Sequence, residues 1–396
     1  MPERYPDIIV QATNEKDVVA AVRLANANNW VIGVRSGGHS WSCNHVRDGG
    51  MLLDVSRLDA VTIDPHDMRA TVGPGCRGNQ VNDLLAARKL FFPIGHCQGV
   101  GLGGFLLQGG FGWHSRALGM ACENVLAIDY VGPGFFGVVT RFHLKLYRRP
   151  KVIGAQLAFY TADHLGEIVR WAHRVGPHVP LSIELMFMVS RSIPFIDGPG
   201  VMVVAPVLAD SIFAAWKDLE FMRTRPRGGK RSTPFIPMRL STLTARVMHH
   251  YPDNCCYAVD NMWTRASPDD LLPGLERALE KLPPAPSHIL WMNWAPRQRQ
   301  PDMAFSSEDE IYIAVYGVWR HADDEADAAR WALDGMTDLA PHASGIQLAD
   351  ENLGARPARF MAEVNLARLD QLKAKLDPAG RFHSYLDRLS GGRNAQ

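Results

Sequence analysis

The first residues that could do chemistry are a histidine and a cysteine, each set among glycines. His39 lies in Arg35-Ser36-Gly37-Gly38-His39-Ser40, directly after the apolar run Trp30 to Val34. A strand ending in two glycines turns sharply, and its free N–H groups can form a nest for a pyrophosphate anion. Cys97 lies in Gly95-His96-Cys97-Gln98-Gly99-Val100-Gly101, which continues through Gly103-Gly104 to Gly109-Gly110-Phe111-Gly112-Trp113. So dense a run of glycine indicates backbone approaching something flat and large, because glycine otherwise costs conformational entropy. Singly, His39 reads as an ordinary loop histidine and Cys97 as a small buried hydrophobe. Taken together with the glycines, they shift the balance towards a binding site for such a flat molecule.

Two segments imitate the dinucleotide fingerprint GxGxxG. Gly73-Pro74-Gly75-Cys76-Arg77-Gly78 follows a strand and precedes a helix, as the fingerprint requires. The acidic ribose ligand expected roughly twenty residues later is absent, since that region reads Ile94-Gly95-His96-Cys97-Gln98. Gly99-Val100-Gly101-Leu102-Gly103-Gly104 has no convincing strand before it. A nicotinamide Rossmann domain is therefore the weaker reading.

The elements that must position these residues can be read in outline. Asp7 to Val10 is a strand, Asn14 an N-cap for a helix over Glu15 to Asn28, and Trp30 to Val34 the next strand. Met51 to Val55 and Ala70 to Val72 are further strands, with a helix from Gln80 to Lys89, so the opening is α+β. From about Lys151 longer amphipathic helices (Asp163 to Arg174, Asp210 to Arg225, Pro268 to Lys281, Ala322 to Leu339) alternate with strands. Those strands are Leu181 to Val189, Val201 to Val207, Ile289 to Asn293 and Glu310 to Trp319, which predicts a second domain made of a helix-covered sheet. A last helix runs from Asn365 to Leu376.

Composition bounds the function. At 396 residues the chain exceeds what one core usually serves, so two domains are expected. Forty-two Lys+Arg against 41 Asp+Glu leave no basic field for nucleic acid or anionic lipid. No apolar run reaches the length of a membrane helix and no signal segment opens the chain, so the expected location is cytoplasmic. The six cysteines form no CxxC pair, and adjacent Cys255 and Cys256 read as two half-buried thiols.

On the motifs at Arg35 to Ser40, Gly95 to Gly101, Gly109 to Gly112 and Gly137 to Phe142, the sequence resembles the vanillyl-alcohol oxidase superfamily. More narrowly, it resembles the branch with a PCMH-type FAD-binding domain that is berberine bridge enzyme-like. The resemblance spans nearly the whole chain. It implies a two-domain PCMH-type FAD-binding fold: residues 1–150 bind FAD, completed by about 355–396, and an antiparallel-sheet substrate domain covered by helices occupies 151–354. It also implies FAD held bicovalently, with His39 bonded to the 8α-methyl of the flavin and Cys97 to C6. Arg35, Ser36, Gly37, Gly38 and Ser40 would cradle the cofactor with Gly95, Val100, Gly101, Gly103 and Gly104, and with Gly109 and Gly110. Val100, three residues after that cysteine, matches the oxidase type, in which oxygen reaches the flavin. The family carries a hairpin and a helix between positions matching Val131 and Gly132, which this chain lacks, and the chain begins later than members usually do.

The proton-abstracting side chain departs from the resemblance. In Tyr312-Ile313-Ala314-Val315-Tyr316, period-two alternation sets Tyr312, Ala314 and Tyr316 on one face. Ala314 stands where the berberine bridge enzyme has its glutamate, and Leu348, in Gln347-Leu348-Ala349-Asp350, where sugar oxidases have a tyrosine. Tyr316 and Glu184 are the candidate catalytic residues, with packing and a rim salt bridge as their respective alternatives, and His96 is a further polar contact. The expected function is an FAD-linked oxidase. It takes hydride from an alcohol, sugar or secondary-metabolite substrate and passes the electrons to O2, giving H2O2. A dehydrogenase with another acceptor and a flavin-binding pseudoenzyme are the alternatives. The expected partners are a small-molecule substrate and O2, with no nucleic acid, membrane or metal.

Overall fold

The computed structural model describes residues 3–132, 137–296, 301–305, 307–348 and 350–383. Residues 133–136 of the join at Val131–Gly132 and residues 384–396 of the C-terminal segment lie outside the described residues.

The first part of the chain builds two small sheets and a two-stranded pairing of Leu90–Phe91 with Tyr147–Arg148. Ile8–Gln11, Met51–Asp54 and Ile32–Arg35 form a parallel sheet, with Met51–Asp54 in the centre. The helix Glu15–Ala27 connects Ile8–Gln11 to Ile32–Arg35. Asn14 caps it by accepting from the Asp17 N–H, and the carboxylate of Asp17 accepts in return from the Thr13 N–H. Val18, Ala21, Val22 and Ala25, at helical spacing, bury its inner stripe against Leu53 and Val55. Val61–Asp64, Arg69–Val72, Val138–Lys145 and Val125–Val131 make an antiparallel sheet beside it. The chain returns at its end: the Ile32 N–H donates to the Arg381 carbonyl at 2.7 Å, and Phe382 joins the core of the first sheet.

The second part is an eight-stranded antiparallel sheet. Its order runs Arg231–Ser232, Val152–Thr161, Gly200–Ala209, Met186–Ser190, His288–Asn293, Ile311–Trp319 and Cys256–Thr264, with Ile236–Pro237 also on Val152–Thr161. Alternation divides each strand. Val201, Phe187, Ile289, Ile313 and Val315 pack under Leu165–Val175, Pro268–Glu280 and Glu325–Leu339. The opposite face turns towards the first part of the chain. The helices Leu165–Val175, Pro268–Glu280 and Glu325–Leu339 form close to where the sequence predicts, with Ser267 and Asp270 closing a capping box on Pro268–Glu280, while Leu240–Met248 is a helix the sequence reading lacks.

Several boundaries differ from the sequence reading. The strand expected over Leu181 to Val189 begins only at Met186, because Ile183 makes a single isolated bridge to Val207 and Glu184 and Leu185 belong to no strand. The helix expected over Asp210 to Arg225 is α-helical only over Ile212–Asp218 and tightens to a 3-10 helix over Leu219–Thr224. The edge strand Cys256–Thr264 is missing from the sequence reading, since Asp260 and Asn261 interrupt its apolar alternation. Cys256 is exposed and only Cys255 is half-buried; both are free thiols.

Candidate active site

A cleft of about 1070 Å³ opens between the two glycine-rich turns and the uncovered sheet face. That is at the upper end of the ~300–1,000 Å³ usual for ligand sites. Its first wall is backbone. Gly37 and Gly101 lie so close that a Cβ on Gly37 would fall 2.6 Å from the Gly101 nitrogen, and one on Gly101 2.5 Å from that of Gly37. Gly38 holds φ at +68°, which a side chain would strain. By contrast, a Cβ on Gly104 would meet nothing within 4 Å, so its backbone faces the open cleft. Among the described residues, the N–H groups of Gly37 and Gly38 have no backbone acceptor and are free for an anionic ligand.

Ser36 through Ser40 line this cleft together with Gly95, Cys97, Val100, Gly101, Gly103, Gly104, Gly110 and Tyr316. Three sequence candidates lie outside its lining. Arg35 turns to Asp54 at 3.4 Å, Gly109 backs onto the Phe305 ring, and Glu184 sits behind the wall. Burial holds the His39 imidazole below its ordinary pKa, partly offset by the charge of Asp350, so it is neutral near pH 7. Burial pushes the Cys97 thiol up to about 12.

Glu184 is not a rim residue. It is 1% exposed; one oxygen accepts from His96 Nε2 at 2.8 Å and the other from the His114 N–H at 2.6 Å. Both oxygens are thereby engaged, and Glu184 reaches the cleft only through His96. Behind it, Arg116 spends its guanidinium on the carbonyls of Trp294, Pro180, Ile183 and Val179. Burial lowers Arg116 to about 10, opposed by the charge of Glu184.

Beside His39 and Cys97 the structure gives Tyr312 and Tyr316 partners that the sequence reading lacks, Asp350 and Trp41. Tyr312 Oη donates to Asp350 Oδ2 at 2.7 Å and Tyr316 Oη to the same oxygen at 3.1 Å, while Trp41 Nε1 donates to Asp350 Oδ1 at 2.8 Å. Burial, reinforced by the negative charge of Asp350, raises both tyrosines well above the usual phenol value. They therefore remain protonated as donors. Asp350 is fixed from behind: Asn261 Nδ2 donates to the carbonyls of Gln347 and Asp350, and Asn261 Oδ1 accepts from the Gln347 N–H. Beside Tyr316, His288 stacks with ring centroids 4.6 Å apart. Its Nδ1 donates to the Pro286 carbonyl, so Nε2 accepts from the Tyr251 hydroxyl at 3.2 Å. No sequence signal marks Asp350, because it lies in an irregular segment that only tertiary contacts bring to the strand.

A backbone-lined cleft facing a tyrosine–carboxylate cluster offers room for a flat cofactor and proton-handling groups on the wall beside it. Residues 6–134 match the family described as an FAD binding domain. The FAD-linked oxidoreductase YgaK of Bacillus subtilis is 31% identical over 440 aligned residues, spanning 96% of this chain and 90% of that protein. The FAD-linked oxidoreductase nodO of Hypoxylon pulicicidum is 26% identical, over 96% of this chain and 91% of that protein. Among solved structures, 6-hydroxy-D-nicotine oxidase from Arthrobacter nicotinovorans superposes with a TM-score of 0.82 at 20% identity, covering 96% of this chain and 92% of its own. This chain belongs to the FAD-linked oxidoreductases, with an FAD binding domain at its start. It is an FAD-dependent oxidoreductase.

Proposed function

We propose that the protein is an oxidase: it dehydrogenates the alcohol or amine carbon of a small molecule, with FAD tethered at His39 and Cys97. In this reading residues 1–150, with the segment from about 355, hold the cofactor, and residues 151–354 present the substrate. Bound FAD supplies a two-electron acceptor that takes hydride from the substrate carbon and returns the electrons to O2 as H2O2. The carrying observation is that Asp350 accepts from Tyr316 in the cleft that His39 and Cys97 also line.

The chain's own residues handle the proton. Tyr316 alone is a poor base, since burial disfavours its phenolate. Paired with Asp350 it becomes a relay: the substrate hydroxyl gives its proton to Tyr316 Oη as Tyr316 passes its own to Asp350 Oδ2. Tyr312 and Trp41 keep the carboxylate aimed during the transfer. Neutral His39 has a nitrogen lone pair for bonding carbon, which supports its role as a tether. Glu184 fixes the ring of His96, next to Cys97, and is a positioning residue. Half-buried Val100 on the cleft wall supports oxygen as the acceptor, because it obstructs less than a bulkier side chain there would.

The test mixes the FAD-loaded protein anaerobically with a panel of secondary alcohols and amines, then admits air. A substrate should bleach the flavin, and air should restore its colour with one H2O2 per turnover. Flavin that stays reduced in air but is reoxidised by a quinone would overturn the oxidase reading in favour of a dehydrogenase.

A further inference from the structure

The sheet face turned to the cleft extends well beyond Tyr312 and Tyr316, and its composition is selective. Strand pairing sets Tyr312 beside Met292, Met292 beside Met186, Met186 beside Val204 and Val204 beside Leu157. A second row, two residues along, runs Ala314, Leu290, Met188, Met202, Phe159. All of these except Ala314 line the same cleft. Four strand spacings of about 4.8 Å make each row about 19 Å long, and the two rows stand about 7 Å apart. Between the tyrosine strand and the far edge, neither row carries a side-chain nitrogen or oxygen. At that far edge the Phe195 ring closes the strip. It meets Phe159 edge-on at 5.2 Å, lies under the Arg231 guanidinium at 4.4 Å, and is itself largely exposed.

We propose that the substrate is an elongated, predominantly hydrocarbon molecule of the fused-ring or terpenoid kind. One hydroxyl or amine lies at the Tyr316–Asp350 end, and the apolar body lies along this strip. The inference rests on the oxidase reading for which end reacts, and it excludes a sugar as the main substrate. A sugar presents hydroxyls all round, and each one desolvated without a partner costs about 1–3 kcal/mol. Between the tyrosine strand and the far edge the two rows offer no hydrogen bonds; the groups that do lie beyond that stretch, with Tyr312, Tyr316 and Asp350 at the reacting end, Arg231 and Thr233 at the far edge, and Arg246, His249 and His250 elsewhere on the wall. Fused rings instead gain from each CH2 removed from water. The four methionines, Met186, Met188, Met202 and Met292, have unbranched thioether side chains that adjust to ring edges of differing shape.

Equilibrium dialysis with the FAD-loaded protein tests this without requiring turnover. The probes are one secondary alcohol carried on one, two, three or four fused saturated rings, together with glucose and cellobiose. Kd should fall about fivefold or more with each added ring, with both sugars weaker than the four-ring alcohol. Affinity independent of ring number, or a sugar binding more tightly than the four-ring alcohol, would overturn the proposal. Met202→Gln and Leu157→Gln keep side-chain volume close to the original while adding an amide. Each should weaken the four-ring alcohol about tenfold more than the one-ring alcohol; equal loss for both would count against the strip. Anaerobic bleaching separates the two readings. A four-ring alcohol that binds yet leaves the flavin oxidised upholds the strip and defeats the oxidase reading. A sugar that outbinds it and bleaches the flavin does the reverse.

Discussion

Asp350 accepts two phenol O–H groups and an indole N–H on two carboxylate oxygens, and the proposed relay depends on this crowding. Removing its charge while keeping its shape is the sharpest probe at the residue scale. Asp350→Asn should lower the rate of flavin reduction by a substrate about 10²- to 10³-fold while FAD content stays unchanged, as read by anaerobic stopped-flow absorbance. Tyr316→Phe should lower it comparably, and the double variant should lose little more, because the two act as one unit. Independent, multiplying losses would break the relay apart. The sequence reading finds Tyr316 by strand alternation but stops short of its partner: Leu348 fills the place of the expected tyrosine, and Asp350 is two residues further on. Glu184 is conspicuous in sequence as the acid among Ile183, Leu185 and Phe187, but its spacing does not reveal that His96 and His114 already occupy both its oxygens.

Asp350 lies in an irregular segment, so its precision must come from the elements around it. The edge strand Cys256–Thr264 supplies that through two adjacent residues. Asn261 clamps Gln347 and Asp350 with three hydrogen bonds. Fully buried Asp260 binds Arg356 at 2.7 and 2.6 Å, which anchors the following stretch of chain. Asn261→Ala leaves the Gln347 N–H and two carbonyls without partners, and should cost about 2–4 kcal/mol, measured by denaturant unfolding. It should also slow flavin reduction without releasing FAD; a variant with wild-type reduction kinetics would show that the clamp does not position Asp350. These same polar residues conceal the strand in sequence, since Asp-Asn within an apolar run reads as a turn. The glycine turns were legible for the opposite reason. There the backbone itself makes the approach, as at Gly37 against Gly101, and glycine is the visible mark of that contact.

For the molecule as a whole, length and charge correctly indicated a large globular chain. Among the described residues no helix is long and apolar enough to cross a membrane. The buried histidines set its acid limit. Burial lowers His288 to about 3 and His250 to about 4, both from an ordinary value of 6.5. Between those folded values and 6.5 the unfolded chain binds more protons than the folded one. Stability is therefore complete above about pH 6.5 and is lost as pH falls towards 4 and then 3. Thermal unfolding should show that decline, and His288→Gln should flatten it; an unchanged slope would mean that His288 is not the group taking up the proton. The glycine turns, the neutral histidine and the half-buried thiol line a single cleft, and the proposal of a flavin tethered twice rests on that. The most direct test is the mass of the acid-denatured protein. Wild type should carry one FAD covalently, His39→Ala and Cys97→Ala should each retain it through the other residue, and the double variant should lose it. An unmodified wild-type chain with a colourless acid pellet would contradict the tethered site.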